Sequence, residues 1–479
     1  MSLPQGEGVA RAALMDQSFP APGMVMSSDL LLRPFHHPSA TLTPPRPSPG
    51  LDAEDLAPAD RLFLLQLQKQ ALQYFLDNQV ESGLVLDRQR NGGPLRMQGI
   101  CSTTATGMGL IALALATAPP FQLLSVAHAT VRIRTALETV LHRLPQEWGV
   151  VPHFIDSATG AVHGADHYST IETSWILAGA LWAGHFLQDK DVEGLATQLY
   201  DRVDWQHWTA PSEPNSGELL RHGKGADGAF LASSWDRLNG ETAFMYVLGA
   251  GAMADRALSA NSWTALRPFY GTAAGHRFNN ADLGLFVFQY GLDLLDLYHW
   301  RPPGEVDLIA EARIATLANR QVCQQAAHSF ATYRTYWGLS AGDGPGESAE
   351  VDVYRCYSPA GPIDGTSHLM ATLAAIAHAP ATVLENLRAA QHDQQWRAHG
   401  RYGFSNINVD RSWVGRDIVG IDAGAAVLAL DNFLMQNRIR TAFTDVPAVR
   451  RGMERLGFIP LHPPAANACQ HEEHLRQAS

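Results

Sequence analysis

Residues 174–186 read Ser174-Trp175-Ile176-Leu177-Ala178-Gly179-Ala180-Leu181-Trp182-Ala183-Gly184-His185-Phe186, a stretch that is apolar on nearly every side of a helix. A helix without a polar face is typical of one that is packed on all sides by other elements. Residues 423–433 show the same pattern, whereas residues 306–327 keep a polar stripe that favours an outer position. Two kinds of helix indicate two layers, one inside the other.

Helical periodicity recurs along the chain, and strand alternation is nearly absent. The predicted helices cover residues 60–78, 104–117, 123–144, 170–187, 192–203, 240–258, 283–298, 306–327, 366–377, 381–395, 418–437 and 446–456. With no internal linker rich in Pro, Gly or Ser, this pattern predicts an all-α fold, an (α/α)6 barrel forming a single domain over residues 55–460. An all-α superhelix is the alternative, but no internal repeat is visible. Residues 1–54, rich in Pro and Ser, are expected to be disordered or extended, and residues 461–479 to form a disordered tail.

The composition excludes several classes of protein. The 479 residues include 35 Lys and Arg against 47 Asp and Glu, a net charge of −12, which does not suit a nucleic-acid binder. No apolar run is long enough to span a membrane. The four cysteines lie far apart, without the spacing of a disulfide framework or a zinc ribbon. Residues 1–50 lack a visible secretory signal, so a cytoplasmic protein is expected, with a periplasmic or secreted location as the alternative. The sequence does not fix the oligomeric state.

Long loops between the helices are rich in Trp, Tyr, Asp and Gly, a composition suited to stacking on a sugar and binding its hydroxyl groups. One such loop leads through Asp166 to Glu172 in the first turn of a predicted helix. Glu172 either interacts favourably with the helix dipole there or joins Asp166 in accepting hydrogen bonds from a ligand. His163 and His167 have metal-ligand spacing but no apparent third ligand, and no dinucleotide or nucleophile-elbow motif is present. We therefore expect no metal and no cofactor.

Two further carboxylates begin apolar helices. Glu241 follows an aromatic loop and is either a partner of the helix dipole, with Asn239 as the cap, or a proton donor whose pKa is raised by apolar surroundings. Asp422 lies among small apolar residues, where an acid is costly unless it is hydrogen-bonded or used. Glu241 and Asp422 together make a candidate acid and base pair. Inverting glycosidases need roughly 6.5–9.5 Å between two such groups, and retaining ones about 5–5.5 Å.

Several motifs together resemble the bacterial glucoamylase-like family, which includes the endo-β-1,2-glucanases and a domain of cyclic β-1,2-glucan synthases. In chain order they are Tyr168-Ser169-Thr170-Ile171-Glu172-Thr173-Ser174-Trp175, Val203-Asp204-Trp205, Trp337-Gly338-Leu339-Ser340-Ala341-Gly342-Asp343, Tyr402-Gly403-Phe404 and Gly420-Ile421-Asp422-Ala423-Gly424. The resemblance implies an (α/α)6 barrel with a sugar cleft at one end and metal-free hydrolysis of a glucan. It implies Glu241 as the acid and Asp422 as the base. The expected substrate-binding residues are Asp166, Glu172, Trp235, Tyr290, Trp337, Asp343, Tyr402 and Phe404.

The chain departs from the family pattern at a few positions. The glutamine usual after the catalytic aspartate is Ala423, and the usual His-Gln-Tyr-Ser is Phe288-Gln289-Tyr290-Gly291. The prediction is a glycoside hydrolase that cleaves a linear or cyclic β-1,2-linked or related glucan, with inversion of the anomeric configuration. The alternatives are a retaining glucan transglycosylase and a catalytically silent glucan-binding protein. Endo or exo action is left open.

Overall fold

The structure, a computed structural model, describes residues 53–164, 166–211, 217–348 and 351–461. The side chains of Asp166 and Pro211 are outside this description. The predicted disorder of the first residues, up to 52, and of residues 462–479 also lies outside the described part. Within it, the buried apolar side chains form one hydrophobic core.

The described part of the chain is mainly helical, as predicted. Its α-helices are Pro58–Asn78 (α1), Thr103–Leu115 (α2), Val126–His142 (α3), Thr170–Leu187 (α4), Lys190–Asp201 (α5), Gly240–Gly251 (α6), Asn261–Ala265 (α7), Leu308–Ala326 (α8), Leu369–Ala374 (α9), Pro380–His392 (α10), Gly420–Leu434 (α11), Arg438–Asp445 (α12) and Pro447–Leu456 (α13). Short 3-10 helices span Ala53–Asp55, Leu285–Phe288, Gly291–Asp293 and Thr332–Arg334. No helix in the described ranges is long and apolar enough to cross a membrane.

Six apolar segments contact one another in a closed series. Helix α2 contacts α4, α4 contacts α6, and α6 contacts the two 3-10 helices of residues 285–293. The first of these, Leu285–Phe288, contacts α9, α9 contacts α11, and α11 contacts α2. Every residue of α2 is buried, and α4 and α11 are buried along most of their length. The prediction that the most apolar stretches pack on all sides is therefore confirmed for these helices.

More polar helices pack on the outside of this series. Helices α3, α5, α13, α8, α10 and α1 contact α2, α4, α6, residues 285–288, α9 and α11, respectively. Helix α8 contains the polar stripe of residues 306–327 and buries Leu308, Ile309, Ala312, Ala315 and a few others on one face only. Each inner segment thus has an outer partner.

Short strands, which the sequence did not predict, connect the helices. They are Val85–Leu86 (β1), Arg88–Arg90 (β2), Ile100–Ser102 (β3), Phe154–Asp156 (β4), Val162–His163 (β5), Asp166–Ser169 (β6), Thr209–Pro211 (β7), Glu218–Leu220 (β8), Gly223–Gly225 (β9), Tyr270–Ala273 (β10), His276–Asn279 (β11), Trp300–Arg301 (β12), Ala341–Pro345 (β13), Asp352–Cys356 (β14), Ile407–Asn408 (β15), Trp413–Val414 (β16), Asp417–Val419 (β17) and Ile459–Pro460 (β18). Strands β1, β3, β4 and β5 form one antiparallel sheet, and the others pair in twos, including β2 with β17, β6 with β9 and β13 with β14. At two to five residues, they are too short for an alternating pattern to be visible in the sequence.

The prediction of one helix over residues 283–298 was wrong. That segment forms two 3-10 turns, Leu285–Phe288 and Gly291–Asp293. Tertiary contacts fix this bent path: Gln289 Nε2 donates to Ala371 O at 2.7 Å, and Asn432 Nδ2 donates to Asp293 O at 2.8 Å. Long-range contacts of this kind override a local helical preference.

The N-terminal ends of the inner helices α2, α4 and α11 lie close together. Strands β3, β6 and β17 lead directly into α2, α4 and α11. Gly420, the first residue of α11, faces Ala105 of α2 so closely that an added Cβ would lie 2.8 Å from the alanine Cβ. The first turns of α2 and α11 are therefore in close contact.

Candidate active site

Three carboxylates occupy the first turns of three inner helices: Glu172 in α4, Glu241 in α6 and Asp422 in α11. For Glu241, the cap predicted from the sequence is present, because Asn239 Oδ1 accepts a hydrogen bond from Thr242 N at 3.0 Å. The Thr242 hydroxyl in turn accepts from Asn239 N at 3.0 Å. Since this capping box already satisfies the helix end, the Glu241 carboxyl is not required for it.

The environment of Glu241 favours the protonated form of its carboxyl group. Its side chain is half-buried, and burial followed by the negative charge of Glu172 raises its pKa from 4.5 to about 8. Burial raises the pKa of a carboxyl because it disfavours the charged form. Glu241 is therefore mainly a neutral carboxylic acid near pH 7, the form that can donate a proton.

Glu172 is buried and makes two polar contacts away from its own helix end. Thr104 Oγ1 of α2 donates to Glu172 Oε2, and His153 Nε2 lies 2.9 Å from Glu172 Oε1. Ser169 is at the N-cap position of this helix but makes no side-chain capping bond. The arrangement holds a carboxylate beside Glu241.

Asp422 is half-buried in the first turn of α11, and Tyr290 donates to it. The distance from Tyr290 Oη to Asp422 Oδ1 is 3.3 Å. The Tyr290 ring packs edge-to-face against Trp175 of α4, with 6.2 Å between the ring centroids. A tyrosine held by an inner helix thus orients one oxygen of this carboxyl.

Backbone packing places Glu241 near the Tyr290 and Asp422 pair. A Cβ added to Gly291 would lie 1.8 Å from Gly240 O, so these two backbones are in close contact. Glu241 follows Gly240, and Tyr290 precedes Gly291. Trp175 bridges the same region, since its ring also lies 4.7 Å from that of Phe244 in α6. The two candidate catalytic carboxyls therefore flank one segment.

A second polar cluster lies beside α11 around Asp343, which is buried in strand β13. Arg88 Nη1 donates to Asp343 Oδ2 at 2.9 Å, and Arg88 Nε lies 3.3 Å from Asp87 Oδ2. Burial raises the pKa of Asp343, and the nearby Arg88 charge opposes that rise. Arg88 pairs in register with Val419, three residues before Asp422. The cluster is therefore adjacent to the end of α11 that carries the candidate base.

The aromatic candidates differ in what they offer a ligand. Trp235 is half-buried, donates from Nε1 to Thr170 Oγ1 at 2.9 Å and lies against His222 with 4.0 Å between centroids. Trp337 is 5 % exposed, and Tyr402 and Phe404 are 0 % exposed. Trp235 retains accessible ring surface, whereas the other three are packed in the core and present no open face to a sugar in this structure.

The remaining sequence candidate, Asp166, begins strand β6, with its backbone opposite Gly225. The structure does not describe its side chain. Among the residues that the structure describes, no group of three or more His, Cys, Asp or Glu side chains could hold a metal ion.

Sequence reasoning missed Thr104, His153 and Arg88, which contact the candidate carboxylates. Each lies at least 19 positions from its partner along the chain. His153 and Thr104 carry no motif of their own. Arg88 alone had a local signal, because Arg88 and Arg90 of strand β2 alternate with the buried Gln89.

Comparisons with known proteins agree with these observations. Residues 232–447 match the family model named Glycoamylase and described as putative glucoamylase. That range contains Glu241, Tyr290, Asp343 and Asp422 but not Glu172. No curated protein sequence matches the chain significantly.

Solved structures share the fold over most of the chain. A putative glucoamylase from Bacteroides uniformis is 22 % identical with a TM-score of 0.70, covering 85 % of this chain and 98 % of its own. An endo-β-1,2-glucanase from Chitinophaga pinensis, solved with sophorotriose and glucose, is 19 % identical with a TM-score of 0.72, covering 84 % and 99 %. A mutant endo-β-1,2-glucanase from Talaromyces funiculosus, solved with β-1,2-glucan, is 10 % identical with a TM-score of 0.55, covering 84 % and 92 %. The chain has the fold of these proteins, and its predicted resemblance to the glucoamylase-like family is confirmed by the match of residues 232–447.

Proposed function

We propose that this protein is a glycoside hydrolase that cleaves a β-1,2-linked or closely related glucan with inversion. The observation that carries the proposal is the half-buried Glu241 carboxyl, with a pKa raised to about 8, in the first turn of one inner helix, and the half-buried Asp422 in the first turn of another. One acid and one base in a common cleft are what glycosidic hydrolysis requires. The endo-β-1,2-glucanases of the same fold support the choice of substrate class.

In the proposed reaction, Glu241 donates its proton to the glycosidic oxygen, directly or through a substrate hydroxyl, as the bond to the anomeric carbon breaks. Asp422 accepts a proton from a water molecule, whose oxygen forms the new bond to that carbon. The products are two saccharides, with Glu241 ionised and Asp422 protonated. Exchange of protons with solvent restores both groups.

Neighbouring side chains would support these roles. The Glu172 charge helps to keep Glu241 protonated, while its contacts with Thr104 and His153 hold it in place. Tyr290 fixes one oxygen of Asp422. We also propose that Trp235 stacks on a sugar ring and that Asp343 and Asp166 accept hydrogen bonds from sugar hydroxyl groups.

The proposed architecture is an (α/α)6 barrel that forms a single domain over residues 55–460. The closed series of six inner segments, each with an outer partner, supports it. A ring of helices whose first turns face one space would place the three carboxylates around a cleft at one end. This is the arrangement that the proposed reaction needs.

The test is turnover on a panel of linear and cyclic glucans by Glu241→Gln, Asp422→Asn and a control, Glu311→Gln. Glu311 is matched to Glu241, because it is a half-buried glutamate in the first turn of a helix, with a pKa raised by burial, but it lies on the outer helix α8. We expect each catalytic variant to lose about 10²–10⁴-fold in kcat and the control to retain activity.

Near wild-type turnover by both catalytic variants would contradict the assignment of the acid and base. The anomer of the first-formed sugar, read by NMR, tests inversion, and a retained configuration favours the transglycosylase. Calorimetric binding of glucans without release of reducing ends by the wild-type protein would favour the silent binding protein.

A further inference from the structure

A cavity outside the cleft is lined by an unusual share of arginines. It has a volume of about 340 Å³, and its walls come from three segments, residues 90–92, 397–400 with Ser405, and 414–416. Arg90, Arg397 and Arg416 line it. Its volume lies at the lower end of the roughly 300–1,000 Å³ typical of small-molecule sites.

The electrostatic balance around this arginine pocket is positive. Within the described residues, no Asp or Glu lines it. The carboxylates behind the wall are already engaged: Arg96 Nη1 is 2.7 Å from Asp417 Oδ2, and Arg416 Nη2 is 3.2 Å from Asp352 Oδ2. Arg90 Nε also lies 3.7 Å from Asp417 Oδ1, so three arginines share these two carboxylates, and Arg397 adds a fourth guanidinium group, in a chain whose net charge is −12.

Arg397 adds a further positive charge to the wall of the pocket. It is exposed, and its Nε donates to Gln394 O at 3.2 Å within its own turn. Its backbone φ is +49°, in the left-handed region that non-glycine residues rarely adopt. Strained positions of this kind cluster at ligand sites. Glycines at positions 92, 400 and 415 keep the neighbouring walls free of side chains.

The pocket borders the candidate active site. Arg88 and Arg90 lie on the same side of strand β2, so the strand presents one guanidinium to Asp343 and the next to the pocket. On the opposite wall, Ser405 lines the pocket, and its neighbour Asn406 donates from Nδ2 to Asp343 O at 3.0 Å. The pocket and the Asp343 cluster are therefore built from the same two segments, strand β2 and residues 405–406.

We propose that the arginine pocket binds an oxyanion group of the phosphate or carboxylate type. The group is carried either by a small free anion or by an acidic saccharide whose neutral part lies in the cleft; this second source rests on the proposed function. Guanidinium groups match the geometry of such anions, since each presents a fork of N–H donors that can form two parallel hydrogen bonds.

The first experiment is calorimetric titration of the full chain with inorganic phosphate at low ionic strength, for the wild type, Arg397→Gln, Arg397→Lys and Arg334→Gln. Arg334 is the matched control, an exposed arginine whose Nε donates to Ala327 O at 3.2 Å and which does not line the pocket. We expect saturable binding that weakens about tenfold in Arg397→Gln, the effect of losing one charge-assisted hydrogen bond. Arg397→Lys should lose less, and Arg334→Gln should bind like the wild type. Added salt should weaken binding.

The second experiment separates the two sources by titrating a glucuronic acid-containing disaccharide and its neutral counterpart. Tighter binding of the acidic saccharide than of both phosphate and the neutral sugar identifies a saccharide-borne anion, and binding of phosphate alone identifies a small free anion. Absence of saturable binding of both anions, or equal affinity in the wild type and Arg397→Gln, overturns the proposal. Because the readout is binding, a failure of glucan cleavage would count against the proposed function and leave this result unaffected.

Discussion

Glu241 and Glu172 form the residue-scale feature with the clearest functional consequence. The pKa of Glu241 is raised by burial and then by the Glu172 charge. A general acid works only while protonated, so kcat/KM should fall as pH rises through about 8. Glu172→Gln removes the neighbouring charge and should move this alkaline limb to lower pH. Measured pH profiles test this, with Glu311→Gln as the control, and an alkaline limb that Glu172→Gln leaves in place would contradict the coupling.

The same group should affect stability. Its pKa is about 8 in the folded protein against 4.5 for an ordinary glutamate, so between these values the folded state binds more protons than the unfolded state. The free energy of unfolding therefore falls as pH rises across that window, by at most about 1.4 kcal/mol per pH unit. Glu241→Gln removes the titrating group and should gain stability relative to the wild type as pH increases. Urea unfolding at both ends of the window measures this, and parallel pH dependences would be evidence against a raised pKa.

At the scale of elements, the contact between α6 and residues 291–293 positions the two candidate catalytic groups. A Cβ on Gly291 would lie 1.8 Å from Gly240 O and 2.7 Å from Phe244 Cδ1. Restoring the serine usual in the family, Gly291→Ser, should therefore push these elements apart and destabilise the protein by about 1–3 kcal/mol. Activity should fall as well, because Tyr290 precedes this glycine and contacts Asp422.

Gly194 provides the control for this substitution. It lies in helix α5, and a Cβ added there would meet nothing within 4 Å. Gly194→Ala should stabilise the protein by roughly 0.5–1 kcal/mol through the better helix propensity of alanine. Thermal or urea unfolding compares the two variants. Equal stability of Gly291→Ser and the wild type would show that the close contact is not rigid.

At the scale of the whole molecule, a buried ion pair joins helix α12 to the closed series of inner segments. Arg440 is 1 % exposed, contacts Asp293 Oδ1 through Nη2 and donates from Nε to Leu292 O at 2.8 Å. Asn432 Nδ2 donates to Asp293 O at 2.8 Å. The network connects α12, α11 and the segment that carries Tyr290.

Arg440→Met should lower the free energy of unfolding by about 3–5 kcal/mol, because it leaves Asp293 buried without its cation. The control is Arg450→Met, which breaks an exposed ion pair in which Arg450 Nη2 lies 2.7 Å from Asp445 Oδ1. This variant should change the free energy of unfolding by less than about 1 kcal/mol. Urea unfolding of both variants gives the comparison. A similar small effect for the two would mean that the buried pair does not connect the helices energetically.

The sequence by itself determined the features that depend on local pattern. Apolar stretches such as residues 174–186 identified the inner helices, because a helix with no polar face has to be enclosed. The position of Glu241 in a first turn was also predictable, since a loop and the cap Asn239 precede it in the chain, and Asp422 was identified as an acid among small apolar residues. The family resemblance followed from motifs of the same local kind.

Only the tertiary structure decided which side chains meet. The contacts of Thr104 and His153 with Glu172 join residues distant in the chain and leave no local pattern, and the partner of Arg88, Asp343, is equally distant. The bent path of residues 285–293 and the burial of Tyr402 and Phe404 likewise depend on neighbouring elements. The raised pKa of Glu241 has the same origin, because burial and a charge from another helix exist only once the chain has folded.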